Sequence, residues 1–485
     1  MNNMAQPGAG TESGGAEPDG TVFVVRGYGF AGRVFRAEYV GVVNGAETVF
    51  TETVDFAETG SDLVPSDALQ KLLALALSLS YYKATFSGKI RVEFPLTDAE
   101  KLFYAELIKH GMGEYAFVNN LPWKLTPEID AGQAELAELE PRENAENHAE
   151  IADKQPLVAV GGGKDSIVTI EALKHAGFKP VLFAVGDKGA IRDSVRVSGL
   201  DFVTFNRKID PQLIAANQAG APNGHVPVTA MNSVIALIAA EIMGLGAVIF
   251  SNEQSANYGN TQWSGIEVNH QWSKSLEFEY LLRDTLAAAG RSADSYFSLL
   301  RGFRELDIAR SFATHPQYFD AFTSCNKAYL ISAERRVNGW CGECPKCQFV
   351  FLILAPFIGR ARLTQIFGVD ILADAAQKQG LVDILGIGEQ KPFECVGEPS
   401  EAAEALALVV NGGEWADSAL VAELAAALSS GYGADFGAVS DSDPVQISDD
   451  RVPVAYLKAR DFVAGIDADA DPLKITEKRA GNGAA

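Results

Sequence analysis

Six consecutive residues, Gly161, Gly162, Gly163, Lys164, Asp165 and Ser166, combine the types that phosphate chemistry needs. Three glycines let the backbone turn tightly and bring its N–H groups up to phosphate oxygens. A helix opening at the next residues adds the positive end of its dipole to the same point. Lys164 can supply a point charge, Asp165 can hold Mg²⁺, and Ser166 can donate to a terminal phosphate. The spacing is not that of the GxxxxGK[ST] phosphate loop.

Two further stretches carry groups suited to proton transfer or ligand binding. SNEQSANYGN (251–260) brings Ser251, Asn252 and Glu253 directly after an apolar run, and GIEVNHQWSKSLEFE (265–279) contains Glu267, His270, Lys274 and Glu277. Any one of the second group could serve as a catalytic base, since histidine and carboxylates fill that role most often, and the first group could bind a ligand. A solvated turn and a structural histidine are the plainer uses of the same residues. Cys325-x15-Cys341-x2-Cys344-x2-Cys347 is a set of four thiols. Two CxxC steps place three sulfurs on one knuckle that Cys325 can close, as in a structural zinc site; an iron–sulfur cluster and redox thiols are the alternatives. Cys395 stands apart, as a small buried hydrophobe.

The elements that must position these groups follow from the hydrophobic pattern. LVAV (157–160) is a short apolar strand, and a helix runs from the GGGKDS turn to Gly177. VLFAV (181–185), DFVTF (201–205) and AVIF (247–250) are further strands, separated by helices near 190–197 and 229–243. Continuously apolar strands alternating with helices predict a parallel sheet covered on both faces. In such a sheet ligands bind beyond the carboxyl ends of the strands. The loops after Val160, Val185 and Phe250 are therefore expected to share one cleft.

The remaining chain divides by composition. Residues 1–20 read as a disordered tail without the basic start and apolar core of a signal peptide. Residues 21–125 suggest an α+β domain of their own, with a half-buried strand at 34–43 and helices at 68–80 and 98–111. Residues 126–155 read as an acidic linker, 156–275 as the nucleotide-binding domain, 276–360 as a helical region around the cysteines, and 361–485 as a helical region with an acidic tail. VPVAYL (452–457) looks strand-like. Gly27, Gly29 and Gly32 spell GxGxxG, but a strand follows where a dinucleotide site needs a helix, so a hairpin is expected. Asp467, Asp469 and Asp471 mimic a calcium loop whose later positions, Pro472 and Lys478, do not fit one.

Composition narrows the function. The chain has 485 residues, which suggests about three domains, with 40 Lys+Arg against 63 Asp+Glu and a net charge of −23. That balance argues against a nucleic-acid partner. With 47% hydrophobic residues, no uninterrupted apolar span and no secreted disulfide pattern, the protein is expected to be soluble, cytoplasmic and free of the membrane.

Taken together, GGGKDSIVTIEAL, SNEQSANYGN, GIEVNHQWSKS and SCNKAYL…WCGECPKCQFVFLILAPF resemble the UDP-N-acetylmuramoyl-L-alanyl-L-glutamate epimerases of the MurL type, most strongly over about 155 to 360. GGGKDS itself resembles the SGGxDS loop of the ATP pyrophosphatases, with Gly161 in place of the first serine. The resemblance implies an α/β fold: an adenine nucleotide alpha hydrolase-like domain built on a central parallel sheet, flanked by the N-terminal α+β domain and the helical C-terminal region. It implies ATP and Mg²⁺ as cofactors, with a structural Zn²⁺ on the cysteines, and UDP-MurNAc-L-Ala-L-Glu as substrate. The terminal L-Glu is inverted through an acyl-adenylate while ATP becomes AMP and pyrophosphate. Gly161 to Ser166 would hold the triphosphate, backbone groups from Val185 to Asp187 would read adenine, and Ser251 and Asn252 would line the nucleotide site. On the same resemblance His270, Lys274 and Glu253 are the candidates for proton transfer or substrate binding, and Arg192, Arg283, Arg301 and Arg304 are candidate cations for the anionic substrate. The rivals are another ATP pyrophosphatase, such as a deazapurine nitrile synthase or tRNA thiolase, and a non-catalytic ATP-binding regulator.

Overall fold

Short apolar runs form the centre of the molecule because helices cover them on both sides. The computed structural model describes residues 21–85, 87–134, 151–186, 189–329, 334, 336–388, 393–394, 396–432 and 451–466. The expected tail 1–20, Asp187, Cys395, the calcium-like aspartates and most of the acidic stretch lie outside the described residues.

The strands are β1 (Thr21–Ala31), β2 (Val34–Val43), β3 (Ala46–Asp55), β4 (Lys89–Leu96), β5 (Glu128–Gln133), β6 (Leu157–Ala159), β7 (Val181–Val185), β8 (Phe202–Lys208), β9 (Val248–Phe250), β10 (Thr261–Trp263), β11 (Ile266–Val268) and β12 (Tyr296–Ser298). All but β10 and β11 join one ten-stranded sheet in the order β12-β9-β6-β7-β8-β3-β2-β1-β4-β5. From β12 to β8 every pairing is parallel. The chain enters this half at β6, moves outward through β7 and β8, then crosses back to β9 and β12 on the other side of β6. β6 and β9 therefore flank a topological switch point, where the loops beyond adjacent strands leave in opposite directions and open a crevice.

The N-terminal unit is not separate. β3 pairs with β8 in antiparallel register, Val54 opposite Arg207, and makes one sheet of the two halves. The helices Asp67–Tyr82 and Val228–Met243 are apolar on most faces, and residues of both belong to one core with Phe23, Tyr39, Val181 and Phe183. The helix Asp98–Gly111 starts at a capping box, Thr97 accepting from the Glu100 N–H and Glu100 from the Thr97 N–H.

Several expectations are corrected. Residues 128–133 of the presumed linker are β5, an edge strand parallel to β4. Its outward Glu128 and Asp130 hide the period, while Ile129 and Ala131 pack on the core. The region 276–360 contributes β12 as the other sheet edge, a strand of three residues that periodicity cannot mark. VPVAYL is a turn leading into the helix Leu457–Val463, since Pro453 has no N–H for a ladder. That helix covers Lys164–His175, with Phe462 stacked on His175 at 4.1 Å. Gly27 and Gly29 lie inside β1 and Gly32 turns the β1–β2 hairpin at φ +60°. Among the described residues no helix is long and apolar enough to cross a membrane.

At the seam, Arg207 pairs with the fully buried Glu52 and donates to Ser80 Oγ at 2.6 Å. Removing one partner of a buried pair strands the other charge. Arg207→Leu is expected to lower unfolding stability by about 3–5 kcal/mol in urea denaturation; an unchanged midpoint would show that the seam does not depend on this pair.

Candidate active site

Gly162 adopts φ +82°, and a Cβ there would lie 2.8 Å from the Ala190 carbonyl carbon, so only glycine fits. Gly163 is the N-cap of the helix Lys164–His175 and brings no capping side chain. The first turn of the helix thus faces the crevice with its N–H groups. The loop is braced from the cysteine region: Thr323 N–H donates to Gly162 O at 3.0 Å, and the Tyr329 hydroxyl lies 2.7 Å from Gly161 O. Ser166 donates to Gly163 O at 3.0 Å, so its hydroxyl serves the turn rather than projecting from it.

Lys164 does not project either. Its ammonium is buried, bonded to both Asp165 and Glu305. Burial opposes its charge, but the two carboxylates outweigh burial and hold its pKa above the usual lysine value. Asp165 is the more open of the pair, its side chain 28% exposed. Burial pushes its pKa up, yet Lys164 and then Lys346 keep it below the ordinary carboxylate value. A carboxylate that stays ionised at the mouth of a glycine cradle suits a divalent cation.

Glu253, just beyond β9, is buried. Burial, reinforced by Glu305, raises its pKa to about 7 against the pull of Lys274. The Glu305 N–H donates to Glu401 at 2.7 Å, and Glu401 is raised to about 7 by burial and by Glu305. Lys274 and Lys346 bring positive charge to Asp165 and Glu253 together. A carboxyl group poised near neutrality beside ammonium groups can give or take a proton.

His270 is hydrogen-bonded through Nδ1 to Glu114, and its backbone N–H donates to Asn260 Oδ1 at 2.9 Å. His225 lies against it, ring centroids 4.4 Å apart. The remaining expected residues have structural partners. Ser251 bonds Thr169 Oγ1 at 2.8 Å, and Asn252 donates to Ser298 Oγ at 3.0 Å, tying β9 to the helix and to β12. Val185 ends β7 half-buried, before Gly186 at φ +80°. Arg283 pairs with Asp294, Arg301 with Glu279, and Arg304 with Asp307 and Glu404. Arg192 lies on the helix Gly189–Ser198. Sequence reasoning missed Glu114, His225, Glu305, Lys346 and Glu401. Only Lys346 carried a signal, its place inside the CPKC step.

The four sulfurs of Cys325, Cys341, Cys344 and Cys347 lie within 4.8 Å of one another, with close pairs at 3.4, 3.7 and 4.0 Å. Thiolates at ~2.3 Å around one tetrahedral zinc sit ~3.8 Å apart, so the set can hold that ion. The knuckle also starts the helix Pro345–Leu354, which carries Lys346.

Two outcomes follow from this geometry. Titrated with Zn²⁺, the protein is expected to take up about one equivalent and Cys347→Ser to bind it more weakly; equal uptake by the two would exclude Cys347 as a ligand. Glu253 is neutral in both states at low pH. As pH rises the unfolded chain ionises first, from the ordinary 4.5, while the folded group waits until about 7. Stability is therefore lost across that window, by roughly 3 kcal/mol. Glu253→Gln should flatten this decline in denaturation series at several pH values, and an unaltered slope would mean that the folded group ionises as in water.

A model described as the MurL N-terminal domain matches residues 16–299, and one described as the MurL C-terminal domain matches residues 321–435. Three proteins named UDP-N-acetyl-alpha-D-muramoyl-L-alanyl-L-glutamate epimerase are similar over most of their length. That of Micromonospora sp. is 44% identical over 386 residues, 78% of this chain and 84% of the relative. That of Salinispora tropica is 42% identical over 387 residues (78% and 82%), and that of Xanthomonas oryzae pv. oryzae 40% over 376 (77% and 82%). No solved structure matches. With more than half of its length matched by the N-terminal model and relatives above 40% identity, the chain belongs to the UDP-N-acetyl-alpha-D-muramoyl-L-alanyl-L-glutamate epimerase family, MurL.

Proposed function

We propose that the chain inverts the terminal L-Glu of UDP-MurNAc-L-Ala-L-Glu to D-Glu, as a cytoplasmic step of peptidoglycan precursor synthesis, and turns ATP into AMP and pyrophosphate. The observation that carries this reading is the meeting, at one switch point, of an uncapped glycine cradle after β6 and the buried Glu253 after β9. The cradle suits a polyphosphate, and a carboxyl group titrating near neutrality suits movement of a weakly acidic proton.

The chemistry explains why both are needed in one place. A free carboxylate makes its α-hydrogen very weakly acidic, because a second negative charge would form beside the first. Transfer of adenylate to that carboxylate removes the charge and leaves an electron-withdrawing acyl group. The N–H groups of Gly161 to Lys164 would hold the phosphates in line for attack, and Asp165 would hold Mg²⁺, which would supply positive charge for the pyrophosphate. Lys346 and Lys274 add positive charge at the same strand ends. Glu253 then exchanges a proton with Cα while Lys274 stabilises the charge that develops on the acyl oxygen. Hydrolysis of the acyl-adenylate releases the product and drives the sequence forward. Four thiolates beneath the loop would hold Zn²⁺ in a closed, structural role.

The test is incubation with ATP, Mg²⁺ and UDP-MurNAc-L-Ala-L-Glu in D₂O. The expected product carries D-Glu with α-deuterium and appears together with AMP. A change of substrate mass beyond the deuterium would favour the nitrile-forming or thiolating pyrophosphatases, and ADP as the spent nucleotide would refute adenylation. Asp165→Asn should reduce AMP release by roughly 10²-fold or more; undiminished turnover would take the loop out of the reaction.

A further inference from the structure

We propose that His225 is a second proton-transfer group of this site, held in place by the Glu114–His270 pair. The proposal rests on the epimerase reading above, and the turn that carries His270 and Lys274 is tied to the loop after Glu253: Asn269 donates to Ala256 O at 2.9 Å, and the Leu276 N–H to Asn257 Oδ1 at 2.7 Å. Its three side chains come from distant segments: Glu114 from the helix Gly113–Asn119, His225 from the connection before Val228–Met243, and His270 from the turn after β11. Glu114 bonds His270 and lies 3.9 Å from His225 Nδ1. Side-chain exposure rises from Glu114 (12%) through His270 (16%) to His225 (24%), so His225 is the member a ligand reaches first.

The segment carrying His225 is held firmly. Lys83 donates to Asn223 Oδ1 at 2.6 Å, and Asn119 donates to Asn223 O at 3.1 Å. Gly224 lets this backbone approach the Glu114 helix, since a Cβ there would meet Tyr115 Cα at 3.4 Å. The groups acting on His225 are Glu114, His270, Lys274 and Lys83. Burial first, then His270 and the two ammonium groups, push its pKa down to about 4 despite Glu114. His225 is therefore a neutral base when Glu253 is largely a neutral acid. Two histidines and a carboxylate also have the donor types for a divalent cation. Lys274 and Lys83 oppose a cation here and favour the anionic end of a substrate.

In the L-to-D direction, His225 takes the α-proton of the adenylated glutamyl group. The C–H electron pair moves onto the acyl oxygen, near Lys274. Glu253 returns a proton to the opposite face, the carbonyl reforms, and the centre is inverted. His225 is left protonated and Glu253 ionised, and exchange with solvent resets both. Glu114 and His270 are positioning residues.

The experiment uses the full chain with His225→Asn and His225→Gln, and traps the acyl-adenylate with hydroxylamine. Hydroxamate formation should stay within about threefold of wild type while epimer formation falls about 100-fold or more. In D₂O the variants should no longer label the L-epimer, whereas the D-epimer, whose α-proton faces Glu253, should still exchange. Glu114→Gln should lower kcat about tenfold with KM unchanged. Wild-type epimerisation by the His225 variants would overturn the proposal, as would hydroxamate and epimer falling in parallel. If wild type epimerises without forming hydroxamate, the adenylation reading fails instead, and the deuterium measurement alone decides the role of His225.

Discussion

A single buried ammonium holds the site together. Lys164 sits at the start of the helix behind the glycine turn, and its charge is satisfied by Asp165 beside it and by Glu305, which opens another helix 141 residues on. A charge removed from water must be paired, so the two helices cannot separate without stranding one of three ions. Glu305 in turn offers its N–H to Glu401, at the start of Pro399–Gly412. Through this chain of contacts the C-terminal helices are fastened to the glycine turn. Tyr329 and Thr323 make a second attachment from the cysteine knuckle.

The same arrangement resolves a difficulty posed by composition. The family's relatives are named for an anionic UDP-linked substrate, whereas this chain carries a net charge of −23. Its arginines near the sheet ends are bound to carboxylates within the fold, and the charge that reaches the strand ends comes from Lys274 and Lys346. Those two ammonium groups and the buried carboxylates divide the titratable groups by environment. Asp165 stays ionised, Glu253 and Glu401 move toward neutrality, and His225 is held unprotonated. Opposed shifts within one small region are what acid–base chemistry near neutral pH demands.

Much of this was legible in the chain. The apolar runs before Gly161, Gly186 and Ser251 mark the parallel strands, since only strands buried on both faces lack a polar alternation. Gly162 marks a left-handed turn, and the cysteine spacing marks a knuckle. The strands β5 and β12 were not legible, one masked by acidic edge residues and the other too short to show a period. Separation of an N-terminal domain at 125 was also misleading. The β3–β8 pairing that abolishes it lies between segments whose local patterns say nothing of each other.

By itself, then, the amino-acid order determined the glycine turn at 161–163, the four-thiol knuckle and the run of strands that brings several loops to one edge. Each of these is local, set by backbone freedom, ligand spacing or the period of apolar residues within about ten positions. Tertiary structure alone decided which charges meet: Lys164 with Glu305, Glu305 with Glu401, His270 with Glu114 and His225. Long-range pairing depends on how helices pack across the sheet. A carboxylate or histidine gains a shifted affinity for protons only when burial and distant neighbours act on it together.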